Sequence, residues 1–270
     1  MIIRKITCRS ILSRSKIPDV DYAINPYVGC GHGCVYCYAV FMKRFTDHRE
    51  PWGQFVDIKR NGPQQLLRDL KRAKSGQILL SSVTDPYQPA EKRYGITRDC
   101  LEVLHQVRLP VSILTKSILV LRDLDLLERM KSVDVGLTIT TLNEEVRRNF
   151  EPRSSPVEDR FNAIRRLASE GVPTWIFFGP VLPHFSDGED VLEEFFQRAE
   201  ACGAQYVYVD RMNLYPNVWE RVQAVLKRRY PKVMDYYRKV REDRDSYSEF
   251  LRGRIRKAIR RCSIQCRIVF

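Results

Sequence analysis

No stretch of this 270-residue chain approaches the roughly 18 consecutive apolar residues that cross a bilayer, and the opening Met-Ile-Ile-Arg-Lys lacks the apolar core of a signal peptide. A soluble, cytoplasmic protein with no membrane partner is expected. His105 and His184 stand alone in sequence, without partners for a metal site or a catalytic triad. No dinucleotide-binding glycine fingerprint follows any candidate strand. Internal repeats and low-complexity tracts are lacking. Eight cysteines are too few for a disulfide scaffold at this length, and a hydrophobic content of 44% excludes global disorder. Acid is also in short supply. The 33 Asp and Glu face 46 Lys and Arg, giving a formal net charge of +13.

What is present first is an alternation of strand-like and helix-like segments. Residues 1–20 form a basic leader with a strand at 2–8. Further strands are predicted at 21–27, 77–82, Val111–Thr115, 133–140, 172–178 and 206–209. Helices are predicted between them: a face of Cys100, Leu101, Leu104 and Val107, then 119–130, 156–170 with Gly171 as C-cap, and 189–202. About six β/α units imply right-handed parallel crossovers. The fold class is α/β: a partial (β/α)6 TIM-like barrel over 21–215, with a helical extension over 216–270 that ends in an apolar strand at 267–270.

The chemistry concentrates in Asn25-Pro-Tyr-Val-Gly-Cys-Gly-His-Gly-Cys-Val-Tyr-Cys-Tyr38. Its three cysteines, Cys30, Cys34 and Cys37, are one short of a closed zinc site or a simple electron-transfer cluster. Three thiolates can hold a cubane cluster and leave one iron open. Gly29, Gly31 and Gly33 supply the conformations such a loop needs. A zinc knuckle using His32 or His48 as fourth ligand is the alternative. Cys8, Cys100 and Cys202 read as small buried residues. Cys262 and Cys266 form a pair that would help hold a second cluster only with further ligands.

In parallel β/α folds the carboxyl ends of the strands carry the chemistry. Ser82, Thr84 and Asp85 fall there, as do Thr115, Lys116, Thr138, Thr140, Gly179, Pro180, Asp210, Arg211 and Asn213. With the cysteine loop, Ser82-Val-Thr-Asp-Pro-Tyr-Gln-Pro-Ala-Glu91, Thr115-Lys116, Glu151-Pro-Arg153, Arg160 and Gly179-Pro180, the chain resembles the spore-photoproduct-lyase-like group of radical S-adenosylmethionine (SAM) enzymes over about residues 20–215. The resemblance implies a [4Fe–4S] cluster on Cys30, Cys34 and Cys37, with SAM on the fourth iron. Reductive cleavage of SAM would give a 5′-deoxyadenosyl radical, with the electron from a flavodoxin- or ferredoxin-like donor. It further implies that Tyr36 packs near the adenine and that Ser82, Thr84 and Asp85 receive the SAM ammonium. Lys116 would pair with the SAM carboxylate, Thr138 or Thr140 with the ribose, and Gly179 would complete the cofactor site. Tyr36 and Tyr38 are candidates for radical relay.

One departure separates the chain from the lyase itself. The lyase returns hydrogen from a cysteine after its second strand, whereas Leu79-Leu-Ser-Ser-Val-Thr-Asp85 has none. A serine O–H bond is too strong to substitute, so repair of the spore lesion is not expected. Glu91 and Glu151 suit buried ion pairs with Arg153 or Arg160 better than proton transfer. Residues 221–267 hold 16 basic and 5 acidic residues, which points to nucleic acid or to solvated Arg-rich helices. Arg254, Arg256 and Lys257 are the expected contacts. Three functions remain open: a radical SAM enzyme on a nucleic-acid or nucleotide-like substrate, one acting on a small molecule or peptide, and a nucleic-acid-binding protein with a structural or sensing cluster.

Overall fold

The computed structural model describes every residue except Lys74. Its strands are β1 (Ile2–Ile6), β2 (Leu12–Arg14), β3 (Tyr22–Ile24), β4 (Tyr27–Val28), β5 (Phe55–Lys59) and β6 (Ile78–Leu80). They continue with β7 (Val111–Thr115), β8 (Val133–Thr138), β9 (Thr174–Val181), β10 (Tyr206–Arg211) and β11 (Gln265–Ile268). The chain divides into two compact units. One comprises Met1–Gly33, Ala39–Gly136 and Glu170–Pro173; the other comprises Cys34–Tyr38, Leu137–Ser169 and Thr174–Phe270.

In the first unit, β3, β6 and β7 pair in parallel, with Ile24 opposite Leu80 and Leu80 opposite Ile113. β2 closes the edge antiparallel to β3. The run Ile-Leu-Leu of β6 is buried throughout, as a strand covered on both faces must be. β7 instead alternates, burying Val111, Ile113 and Thr115. The N-terminal strand does not join this sheet. β1 runs parallel to β5, which is antiparallel to β4. The predicted strand at 21–27 is therefore two strands, β3 and β4, in different sheets.

In the second unit, β9, β10 and β11 are parallel neighbours. β10 buries Val207, Val209 and Arg211 and leaves Tyr206, Tyr208 and Asp210 half-exposed. β8 is shared in sequence between the units, and β2 and β11 each have one strand neighbour. The architecture is the predicted parallel α/β class, with no closed barrel among the described residues. Helices Val157–Ser169 and Glu189–Ala201 fall where periodicity put them, and Gly171 has the left-handed φ of +77° expected after the first.

Other expectations changed. The predicted helix at 119–130 is a tight 3-10 turn, Ile118–Asp123, and one short turn, Leu124–Leu127. Asp123, a poor helix-interior residue, is buried there and accepts from Arg98 Nη1 at 3.0 Å and Arg122 Nε at 2.7 Å. β5 was not foreseen because Asp57 interrupts its apolar run. That carboxylate is buried against His48 Nε2 at 2.8 Å. The helices after β10 are not a detached tail: Trp219, Val222, Met234 and Tyr237 share one buried cluster with Cys34 and Tyr36. No helix among the described residues is long and apolar enough to cross a membrane.

Candidate active site

The cysteine loop passes from the first unit to the second between Gly33 and Cys34. Each half is held by its own partners. On the Cys30 side, Gly29 has φ +82°, and a Cβ there would lie 2.6 Å from the Phe55 carbonyl, so the close approach requires glycine. Thr84 Oγ1 donates to the Gly29 carbonyl at 2.6 Å, and Gln88 Nε2 does so at 3.2 Å. Gln88 Oε1 accepts from the Gly31 amide at 2.7 Å. Thus the segment after β6 grips the loop backbone through Thr84 and Gln88. Asn25 completes the clamp: its Oδ1 accepts from the amides of Ser82 and Val83, each at 3.0 Å, while Nδ2 donates to Ser82 Oγ at 3.2 Å.

Asp85 is a buried hub. Its carboxylate accepts from Thr115 Oγ1 at 2.6 Å, the Tyr87 amide at 2.9 Å and the Lys116 amide at 2.8 Å, with His32 Nε2 at 3.3 Å. Burial raises its pKa, but His32 and these donors outweigh that and hold it at about 2. The structure therefore gives Thr84 and Asp85 loop-holding bonds at the positions where the resemblance placed ammonium recognition. Lys116 is fixed through its backbone.

On the other side, Cys34, Tyr36 and Cys37 share a unit with Glu151. Tyr36 donates its phenol to Glu151, which also accepts from Thr140 Oγ1 at 2.9 Å, Ser154 Oγ at 3.0 Å and Arg160 Nη2 at 2.5 Å. Arg160 Nη1 donates to the Thr138 carbonyl at 2.7 Å. Burial first, and then the neighbouring carboxylate, push the Tyr36 phenol far above its ordinary pKa. Tyr36 and Thr140 are thus structural bonds in one network. Tyr38 is 54% exposed. Gly179 lies under Phe177, whose ring would meet an added Cβ at 2.4 Å.

The same device recurs in the first unit. Tyr27, just before the loop, donates to buried Glu91, which pairs with Arg122 Nη2 at 2.7 Å. The ion-pair expectation holds for Glu151 with Arg160. The partner of Glu91 is instead Arg122, a residue with no sequence motif to flag it. Gln88 and Arg221 were also missed. Arg221 Nη2 donates to the Cys34 carbonyl at 2.5 Å and Nη1 to that of Cys37 at 3.4 Å. Gln88 stands inside a motif already singled out, whereas nothing local marks Arg221.

The three thiols are the donor type that an iron–sulfur cluster takes. Cys30 and Cys34 are 7% and 6% exposed, and none of the cysteines is disulfide-bonded. Among the described residues, no three Cys, His, Asp or Glu side chains converge on one metal ion. A cubane does not require that, since each thiolate binds a different iron. Both rival zinc ligands are committed elsewhere: His32 faces Asp85, and His48 sits between Glu50 Oε2 at 3.0 Å and Asp57 Oδ1 at 2.8 Å. Cys262 and Cys266 are half-buried, Cys266 opposite Val207 on β11.

Asp210, next to last in β10, has a carboxyl pKa raised to about 6, chiefly by burial and against the pull of Arg211. A raised carboxyl favours the folded state at low pH and loses that advantage as pH climbs from its unfolded value through about 6. Wild type and Asp210→Asn are therefore expected to melt alike near pH 4. Above pH 7 the variant should be more stable by about 2 kcal/mol, allowing for partial exposure. Parallel melting curves across that range would refute the assignment.

The chain belongs to the radical SAM superfamily, whose model matches residues 24–196. It is 39% identical over 194 residues to an uncharacterized protein of Methanocaldococcus jannaschii, covering 71% of this chain and 72% of that one. It is also 26% identical over 187 residues to a Radical SAM Nalpha-GlyT isomerase of Pseudomonas phage M6, covering 68% of this chain and 38% of the isomerase. Its fold is that of spore photoproduct lyase in complex with a dinucleoside spore photoproduct, with a TM-score of 0.71 at 17% identity. That match covers 98% of this chain and 81% of the lyase. Family membership makes the protein a radical SAM enzyme and implies SAM and a [4Fe–4S] cluster.

Proposed function

We propose that this enzyme acts on a nucleic-acid or nucleotide-like substrate, with Cys30, Cys34 and Cys37 as the cluster ligands. The anchored three-cysteine loop carries the cluster assignment. When bound, the cluster and SAM supply a radical that abstracts hydrogen from substrate. The chain's own contribution is positional. Thr84, Gln88 and Asp85 fix the Cys30 half of the loop; Tyr36, Glu151 and Arg221 fix the Cys34 and Cys37 half. Lys116, at the end of β7, is the cation assigned to the SAM carboxylate, and a ferredoxin- or flavodoxin-like protein is the assigned electron donor.

Two observations support the substrate class. The lyase of like fold holds a dinucleoside, and the basic excess lies at residues 221–267. The cations there are not equivalent. Arg254 Nη1 donates to the Asp187 carbonyl at 2.8 Å, and Lys257 pairs with Glu189, so two of the three expected contacts are engaged within the protein. Lys227, Arg228 and Arg229 are exposed in the last turn of helix Pro216–Arg229 and are the better contact set. Fluorescence anisotropy with a single-stranded oligonucleotide tests this. About six phosphate contacts give a log–log salt slope near −4 on a single strand, and replacing the three cations with glutamate should flatten it. Binding insensitive to salt would leave the small-molecule or peptide reading. Absence of 5′-deoxyadenosine after reconstitution with SAM and dithionite would favour a structural or sensing cluster.

A further inference from the structure

Arg221 belongs to the basic extension by sequence, yet it turns inward. Helix Pro216–Arg229 buries Val218, Trp219, Val222 and Leu226 in the cluster of side chains that also contains Cys34 and Tyr36. That packing fixes the helix against the loop and brings the guanidinium to the carbonyls of Cys34 and Cys37. One planar fork therefore spans two of the three cysteines, a geometry that a lysine ammonium does not reproduce. No carboxylate is hydrogen-bonded to Arg221 among the described residues; burial lowers its pKa, and the nearby Cys37 and Cys34 oppose that. Its positive charge is held at the backbone of Cys34 and Cys37 in a half-buried setting, where solvent screens it poorly.

Reducing an iron–sulfur cluster adds one negative charge to a centre already bearing thiolates. A fixed cation beside those thiolates stabilises the reduced form more than the oxidised form, which raises the reduction potential. We propose that Arg221 is a positioning residue that tunes the redox poise of the cluster, holding it easier to reduce than the cysteine loop alone would make it. The proposal rests on reading Cys30, Cys34 and Cys37 as cluster ligands. It assigns the extension a role at the metal centre that is separate from any contact with nucleic acid.

The test is potentiometry of the anaerobically reconstituted full chain without SAM, followed by electron paramagnetic resonance, with iron and sulfide assayed on every sample. Arg221→Gln keeps a hydrogen-bond donor and removes the charge. Its midpoint potential should move to more negative values at unchanged iron content, and Arg221→Lys should shift less. A wild-type potential in an iron-replete Arg221→Gln protein overturns the proposal. Where that variant fails to hold iron, Ala224→Glu decides. The site is exposed on the same helix, three residues on, where a carboxylate can pair with Arg221 without removing it. Its potential should fall below that of Ala224→Gln, and equal potentials overturn the proposal. A wild-type chain that takes up no cluster defeats the underlying reading and the proposal with it.

Discussion

Glu151→Gln should destabilise the protein by about 3–5 kcal/mol, the loss expected when one partner of a buried ion pair is removed. Glu151 is fully buried and faces four donors, and Arg160, itself 1% exposed, would be left as an uncompensated charge. At roughly 2–4 °C per kcal/mol for a chain of this size, the melting temperature should fall by about 10 °C. The loop should loosen with it, because the Tyr36 phenol loses its charged acceptor. A second measurement isolates the cause. Glu151→Gln combined with Arg160→Met removes both charges and should regain much of the loss, since an absent buried pair costs far less than a broken one. A double variant as unstable as the single one would mean that Glu151 acts through shape rather than charge.

Cys34→Ala should abolish SAM cleavage, with 5′-deoxyadenosine falling to the level of a reaction without protein. Cys34 is a buried thiol in the loop grip of Tyr36, Glu151 and Arg221. On the proposed ligand set, two remaining thiolates do not retain a cubane. The control is the pair Cys262→Ser and Cys266→Ser. If the N-terminal loop is the whole metal centre, that double variant keeps about four iron atoms per chain and full cleavage. Loss of about half the iron from a wild type holding about eight would instead establish a second cluster. Iron and sulfide assays on the three proteins separate these outcomes.

The parts of the fold legible in the sequence were those with a clean period. β7 alternates buried and half-exposed residues, and helix Val157–Ser169 ends before a left-handed glycine. β5 was hidden because Asp57 breaks its apolar run and is hydrogen-bonded to His48, nine residues away. The cysteine loop was legible because its three cysteines are neighbours in sequence. Its supports were less so. Glu91 and Glu151 could be matched to a buried-pair role, but Arg122 carries no signal that distinguishes it from other helix arginines. Thr84 and Asp85 were found as strand-end residues. Their observed bonds to Gly29, Thr115 and the Lys116 amide depend on how the loop folds back, which spacing alone does not encode.

Arg221 has a consequence in the order of synthesis. Its bond to the Cys34 carbonyl joins residues 187 positions apart. At about 5–20 residues per second, a ribosome completes that helix roughly 10–40 s after the cysteines are made. During that interval the nascent cysteines have neither their guanidinium nor the aromatic packing of the later helices. On the cluster reading, metal delivered in that interval would meet cysteines that lack those supports.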